Sequence, residues 1–137
     1  MENLGELIYG AYLKDFEIVS SERIEVGKET EIRIEFRELS IRVPRKGLSQ
    51  NGWREKLEII DSPLANSATY LTFYRRRWLE PKTGEQVVNK YNLKIPGTKL
   101  SHRFGSFLKE KDRGEINEFL LLFPLLRLEI EKALEVV

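Results

Sequence analysis

The side chains in this sequence that are best suited to binding a ligand are three consecutive arginines followed by a tryptophan, at residues 75–78. They end a segment, residues 69–79, whose aromatic and β-branched composition predicts a β-strand. Guanidinium groups beside aromatic rings suit phosphate contact and base stacking. Because side chains alternate along a strand, Arg76 is expected to share a face with Tyr74 and Trp78. The pattern therefore predicts contact with a nucleic acid.

Further basic residues follow the arginines along the chain and extend this predicted surface. The predicted nucleic-acid-binding residues are Tyr74, Arg75, Arg76, Arg77, Trp78, Lys82, Lys90, Lys94 and Arg103. The alternative interpretation is structural, with arginines paired to glutamates across the sheet and Trp78 in the core. The sequence leaves both interpretations open.

The distribution of charge also favours a polyanionic partner. Residues 39–113 carry 16 basic and 7 acidic side chains, whereas residues 1–38 carry 5 and 10 and residues 114–137 carry 2 and 5. A basic middle attracts DNA or RNA through its long-range field, unless the acidic ends fold back and neutralise it. A small nucleic-acid-binding or nucleoprotein-accessory protein is the leading hypothesis.

Catalytic chemistry has little support in the sequence. The single histidine, His102, lies in a predicted helix, and the chain has no cysteine for a thiolate, a disulfide or a zinc site. No glycine-rich phosphate loop, P-loop or nucleophile elbow is present. We therefore expect a protein that is not an enzyme and that folds without a metal or other cofactor.

Length and composition set broad bounds on the protein. A chain of 137 residues, 41% hydrophobic and 33% charged, predicts one globular domain. Its first residues, MENLGELIYG, do not form a signal peptide, and the longest apolar run, residues 119–126, is far shorter than the roughly 20 residues of a membrane span. The expectation is a cytoplasmic protein that does not bind membranes.

The order of the predicted elements indicates the fold class. Strand patterns occupy residues 16–95, including a hairpin formed by RRRWLEPKTGEQVVN, and helical patterns occupy residues 98–137. Strands first and helices last predict an α+β fold. We expect an antiparallel sheet of about five or six strands, followed by two C-terminal helices packed on it.

Several local boundaries are also predicted. A change of apolar phase predicts a bulge near Glu38, with the strand continuing to Val43. The polar residues 49–52 predict a loop, and residues 61–63 are expected to end a strand that begins at Leu57. Thr98 is the predicted cap of the first C-terminal helix, whose apolar stripe contains Leu100, Phe104, Phe107 and Leu108. Pro124 either kinks the last helix or begins a new one.

The C-terminal segment suggests a second function. Residues 119–126 are apolar on all sides, which is more than one face of a small domain requires. Either this segment is the central core helix, or part of it packs against a partner. The predicted interface residues are Leu122, Leu126, Ile130 and Leu134. Association with a second copy or with another protein through this helix is the alternative to nucleic-acid binding.

Two Pro-x-x-Gly frames, VPRKG at residues 43–47 and EPKTG at residues 80–84, carry a resemblance to a known family. Cysteine at four positions would turn them into Cys-Pro-x-Cys-Gly knuckles; those positions hold Val43, Lys46, Glu80 and Thr83. An alternating acidic strand precedes the first frame, and YLTFYRRRW leads into the second. This order resembles the N-terminal double-knuckle zinc ribbon of bacterial insertion-sequence transposases.

The resemblance covers about residues 12–108, and every metal ligand is missing from it. It implies a metal-free, stand-alone relative of the DNA-end-binding module. Transposase activity is not implied, because the remaining residues hold neither the helix-turn-helix nor the catalytic carboxylate domain of such enzymes.

Overall fold

The computed structural model of the protein describes residues 4–136, with side chains from residue 9 onward. Within these residues the elements are α1 (Leu4–Leu13), β1 (Phe16–Val26), β2 (Glu29–Glu38), β3 (Ser49–Trp53), β4 (Leu57–Leu64), β5 (Ser67–Tyr74), β6 (Arg76–Leu79), β7 (Gln86–Val87), α2 (His102–Lys109), α3 (Arg113–Leu122), a 3₁₀ helix (Pro124–Leu126) and α4 (Arg127–Leu134). The α+β class is confirmed, and so are helices that follow the strands.

The strands form two sheets where the sequence suggested one. A four-stranded sheet has the order β1-β2-β5-β4, and a three-stranded sheet has the order β3-β6-β7. Ala65 and Asn66 connect β4 to β5 with positive φ angles of 46° and 63°. Two adjacent residues with positive φ angles are typical of a type I′ turn, whose twist matches that of the flanking strands.

The chain divides into two compact units, and strands of the four-stranded sheet contribute residues to both. The first unit contains the described part of Met1–Ser21 together with Ile34–Leu57 and Thr72–Tyr91. The second contains Glu22–Arg33, Glu58–Leu71 and the described part of Asn92–Val137. Each unit has its own core.

Aromatic rings dominate the core of the first unit. Phe36 and Phe73 stack with their ring centroids 4.7 Å apart, and Phe16 meets Phe73 edge-on at 5.1 Å. All three rings are fully buried. Contacts of this kind each contribute about 0.5–1.5 kcal/mol beyond the burial of area, so this cluster holds β1, β2 and β5 together.

Helix residues packed on two strands form the core of the second unit. Its buried members are Ile60, Ala68, Leu100, Phe104, Leu108, Ile116, Leu120, Phe123, Leu126, Ile130 and Ala133. Ile60 and Ala68 come from β4 and β5, so the C-terminal helices pack on the sheet as predicted.

The start of α2 differs from the prediction. Ser101, and not Thr98, is its cap, because the Ser101 hydroxyl accepts a hydrogen bond from the Phe104 N–H at 3.1 Å. Thr98 instead closes a turn by donating to the Ile95 carbonyl at 2.9 Å. Leu100 lies before the helix and forms a parallel bridge with Ile60.

Three other predicted boundaries are wrong, each for a tertiary reason. The chain leaves the sheet at Glu38, and Ile41 is 76% exposed, so no strand continues to Val43. The polar residues 49–52 belong to strand β3, which tolerates them because all of its side chains are exposed. Strand β4 continues through residues 61–63; its proline is compatible with a strand at the edge of a sheet.

Pro124 begins a new helical segment, which is the second of the two predicted alternatives. Phe123 has the non-helical angles φ −130° and ψ 64°, and the 3₁₀ helix starts at the following proline. Helix α4 continues directly from this short turn. The α-helix is therefore interrupted in the middle of the apolar run.

Burial along this segment predicts a large loss of stability for one substitution and almost none for a similar one. Ile130 is completely buried, so Ile130→Ala should reduce the free energy of unfolding by about 2–5 kcal/mol. Leu121 is 76% exposed, and Leu121→Ala should change that free energy by less than about 0.5 kcal/mol. Urea denaturation at low micromolar concentration measures both; equal losses would contradict the described packing.

Candidate interaction sites

The predicted basic strand is interrupted in its middle. Strand β5 ends at Tyr74 and β6 begins at Arg76, so the regular alternation of side chains stops at Arg75. Arg75 is held from two sides: its carbonyl accepts from the Arg54 N–H at 2.8 Å, and its Nη2 donates to the Glu55 carbonyl at 3.2 Å.

Arg76 is engaged inside the first unit. Its Nε donates to the Glu38 carbonyl at 2.7 Å, its Nη1 donates to the Gln50 side chain, and its guanidinium lies 4.5 Å from the centroid of the Trp53 ring. Partial burial lowers the pKa of Arg76 below its ordinary value. The substitution Arg76→Ala would therefore remove contacts that stabilise the first unit, in addition to any effect on binding.

Trp78 lies in the interior of the first unit, at 4% exposure. Its Cα pairs with that of Val87 across the β6–β7 hairpin, which confirms the predicted hairpin although β7 has only two residues. The Trp78 Nε1 is buried and has no hydrogen-bond partner among the described residues. Of the two interpretations of this residue, the structure favours the core.

The carboxylate that turns inward at the end of β2 organises the surroundings of these arginines. Glu38 is completely buried, and one of its oxygens accepts from the Arg76 N–H at 2.7 Å. The other oxygen accepts from Asn89 Nδ2 at 2.9 Å and from the Tyr91 hydroxyl. The side chain thus joins three segments of the unit. Alternation along β2 could have indicated this position, because Glu38 follows Ile34 and Phe36 in the row that faces the core; the predicted bulge near Glu38 obscured it.

The other predicted basic residues are dispersed. Lys82 and Lys90 are exposed in the first unit. In the second unit the Lys94 ammonium donates to the Thr98 carbonyl at 2.9 Å. Arg103 pairs with Asp61, a completely buried carboxylate that also accepts from the Ser101 hydroxyl at 2.6 Å. Asp61 therefore stabilises the start of α2, and its negative charge is paired with Arg103.

His102 is exposed at the start of α2. Its Nε2 lies 2.9 Å from the Asn92 side-chain oxygen. The residues that the structure describes contain no group of three or more histidine, cysteine, aspartate or glutamate side chains placed to hold a metal ion.

The two Pro-x-x-Gly frames line one cleft in the first unit. One side is formed by Arg45, Lys46 and Gly47, and the other by Glu80, Pro81, Lys82, Thr83 and Glu85. Arg45 Nη1 lies 3.6 Å from a Glu85 carboxylate oxygen and links the two sides. Three of the four positions that would carry cysteine in zinc knuckles are among the lining residues. The fold thus brings together two loops that are separated by more than thirty residues in sequence.

The C-terminal helices expose a row of leucines, which we call the leucine surface. Its members are Leu121, Leu122, Leu125 and Leu128, with exposed fractions of 76%, 70%, 53% and 65%. The predicted interface shared only Leu122 with this surface. Leu126 and Ile130 are at 1% and 0% exposure and belong to the core, so the interface prediction is wrong for these two.

Helix spacing explains why Leu122 is exposed. Ile116 and Leu120 face the core from α3, and Leu122 follows Leu120 by two positions, which turns its side chain about 200° around the helix. After the 3₁₀ turn Leu126 and Ile130 face the core, and Leu125 and Leu128 are exposed. Leu134 is half-buried against the same core.

A shallow groove between α2 and α3 continues the leucine surface. Its lining residues are Phe107, Leu108, Lys111, Glu115, Ile116, Glu118, Phe119 and Leu122. Phe107 and Phe119 are 5.6 Å apart between ring centroids. The exposed apolar area therefore extends beyond the four leucines.

No family model matches the chain, and searches of curated proteins and of solved structures found no match. Among the described residues, none of the helices is long and apolar enough to cross a membrane.

The partly buried tyrosine beside Glu38, Tyr91, predicts a loss of stability in alkali. Burial raises the pKa of Tyr91 above its ordinary value, and the hydrogen bond to Glu38 raises it further. The unfolded chain loses this proton near pH 10, whereas the folded chain keeps it, so stability is complete below that pH and falls as the pH rises. The decrease is at most about 1.4 kcal/mol per pH unit for one group.

Urea denaturation between pH 8 and pH 11 measures this slope. Tyr91→Phe should flatten it, although the variant starts about 1–3 kcal/mol less stable because Glu38 loses a donor. Burial also raises the pKa of Tyr70, so Tyr70→Phe should remove a separate share of the slope. An unchanged slope in Tyr91→Phe would show that its phenol titrates normally in the folded protein.

Proposed function

We propose that this protein is a non-catalytic oligomerisation module that associates with a second copy through the leucine surface. The observation that carries the proposal is the exposure of four neighbouring leucines, each more than half open to solvent. Isolated exposed apolar residues are ordinary, whereas a contiguous cluster is typical of a protein contact.

The apolar area is large enough to drive association. Complete burial of one leucine contributes about 1.5–3 kcal/mol, so four leucines exposed by half or more supply several kcal/mol. The adjoining groove with Phe107 and Phe119 adds further area. A stable contact buries about 800 Å² on each partner, and leucines at its centre with polar residues around them fit that design.

A second copy is the partner that this surface fits. An isologous contact requires a patch that complements itself, and a row of leucines does so because each side chain packs on the same kind of side chain. A non-catalytic role is supported by the buried carboxylates: Glu38 and Asp61 are both engaged in hydrogen bonds within their own units.

Substitution of the leucine surface should abolish association. We expect wild-type protein to sediment as a dimer at high micromolar concentration, and the double variant Leu121→Glu/Leu128→Glu to sediment as a folded monomer. Ile41→Glu is the matched control, because Ile41 is as exposed as Leu121 but does not belong to the leucine surface. A wild-type monomer at this concentration, or an equal loss in Ile41→Glu, would overturn the proposal.

A second candidate function, nucleic-acid binding, is favoured by the cleft between the two Pro-x-x-Gly loops. Arg45, Lys46 and Lys82 line this cleft, and the two lysines form no ion pair among the described residues. The candidate contact therefore lies at the loops, since Arg75 and Arg76 have hydrogen-bond partners inside the unit. The resemblance to a DNA-end-binding module supports the same candidate.

A salt titration with mixed-sequence DNA and RNA tests this candidate. Lys46→Ala/Lys82→Ala should weaken binding to every sequence and reduce the salt slope by about two counterions. Lys28→Ala/Lys109→Ala removes the same charge from exposed lysines outside the cleft and should have a smaller effect. If wild-type protein binds neither polymer at low salt, this second candidate is wrong.

A further inference from the structure

We propose that the open edge of β1 is a second self-association site, at which residues 22–26 of two copies pair as antiparallel strands about Ile24. This site is separate from the leucine surface and does not depend on it. The inference follows from the difference between the two edge strands of the four-stranded sheet, and from the hydrogen-bonding pattern and the charges of β1.

The β4 edge of this sheet is closed to other chains. The Ile60 N–H donates to the Lys99 carbonyl at 2.7 Å, and the Ile60 carbonyl accepts from the Ser101 N–H at 3.0 Å. The same strand contains Pro63, which has no N–H, and the completely buried carboxylate of Asp61. Proline, inward-facing charges and covering segments are means by which proteins prevent an edge strand from pairing with another chain.

The β1 edge has none of these protections in the part of the chain that the structure describes. Strand β1 is the last strand of the sheet, and its 11 residues contain no proline. No backbone hydrogen bond joins described residues outside the sheet to residues 22–26. All five of these residues are exposed except Ile24, which is half-buried. The free N–H and C=O groups of such an edge are available to a further strand.

The hairpin between β1 and β2 determines which backbone groups of β1 face the open edge. Residues 27–28 form its two-residue turn, and Gly27 has a φ of 63°. Such a hairpin is closed by a hydrogen-bonded pair of flanking residues, and these pairs recur at every second position. We therefore expect the N–H and C=O groups of Ile24 to bond to β2, and those of Arg23 and Glu25 to face outward.

The side chains of Arg23 and Glu25 identify the partner as a second copy. They are two positions apart in one strand and so share a face. Both are exposed, and neither forms an ion pair among the described residues. When a second β1 pairs antiparallel with the two-fold axis at Ile24, each Arg23 stands opposite Glu25 of the partner subunit, and this pair occurs twice. The strand is thus complementary to itself.

The contact is small and therefore weak. Its backbone contribution is about four hydrogen bonds, two for each outward-facing pair. The buried area is well below the roughly 800 Å² per partner of a stable interface, so we expect a dissociation constant near millimolar. Because the leucine surface is a separate contact, the two sites together link copies into assemblies larger than a dimer at high concentration.

Amide hydrogen exchange at two protein concentrations tests the pairing. The amides of Arg23 and Glu25 should exchange about two- to tenfold more slowly at millimolar than at low micromolar concentration, because only a second strand protects them. The Ile24 amide is the internal control and should exchange slowly at both concentrations, since it bonds to β2. Rates for Arg23 and Glu25 that do not change with concentration would overturn the proposal.

Charge substitutions test the register. In Arg23→Glu two attractive pairs become repulsive, so pairing should weaken about tenfold and the protection of the Glu25 amide at millimolar concentration should be lost. Arg23→Glu/Glu25→Arg restores both pairs in reverse and should return to within about threefold of wild type. Circular dichroism checks that each variant is folded.

Lys109→Glu is the matched control, because it makes the same change of charge at an exposed residue of α2. It should leave the protection of the Arg23 and Glu25 amides unchanged. If Arg23→Glu keeps this protection, or if Lys109→Glu loses as much of it, the pairing about Ile24 is wrong.

The variant Leu121→Glu/Leu128→Glu separates this site from the proposed function. It should keep the concentration-dependent protection of Arg23 and Glu25, because β1 is not part of the leucine surface. Loss of that protection in the folded variant would assign it to the leucine contact and overturn the edge pairing. If wild-type protein is a monomer at high micromolar concentration but shows the protection at millimolar concentration, only the proposed function is wrong.

Discussion

The core of the second unit has room for one side of the C-terminal segment, and this constraint determines the surface of that unit. The segment from α3 to α4 carries apolar residues on every side, but adjacent positions of a helix cannot face the same way. Leu120, Leu126 and Ile130 fill the core, and the leucines beside them are left in water. The exposed leucines therefore do not contribute to the core of the folded unit. The self-association that we propose would offset their exposure to solvent, because a second copy would cover them.

A second constraint, the buried Glu38 carboxylate, governs the first unit. A buried carboxylate is tolerated only when hydrogen bonds satisfy it, and donors from Arg76, Asn89 and Tyr91 do so. The same arrangement holds Arg76 against Trp53. The arginine cluster suggests a ligand-binding strand, but Arg76 in this cluster stabilises the fold of the first unit. Arg45, Lys46 and Lys82 lie instead in the two Pro-x-x-Gly loops, where they are exposed.

Local patterns predicted the parts of the fold that depend on local physics. The order of strands and helices, the β6–β7 hairpin and the apolar stripe with Phe104 and Leu108 follow from periodicity and turn residues. Features that depend on distant partners were not predictable. Polar residues 49–52 form a strand only because β6 lies beside them, and Asp61 stays in β4 because Ser101 and Arg103 bind it. Likewise, the leucines that face inward are those that pack against the core of the second unit.

Leucine methyl NMR spectra recorded over a range of protein concentrations test the self-association most directly. On dilution from millimolar to low micromolar concentration, the methyl signals of Leu121, Leu122, Leu125 and Leu128 should shift together. The buried methyl groups of Leu100, Leu120 and Leu126 serve as internal references and should keep their positions. If the signals of all seven leucines stay constant over this range, the leucine surface does not bind a second copy.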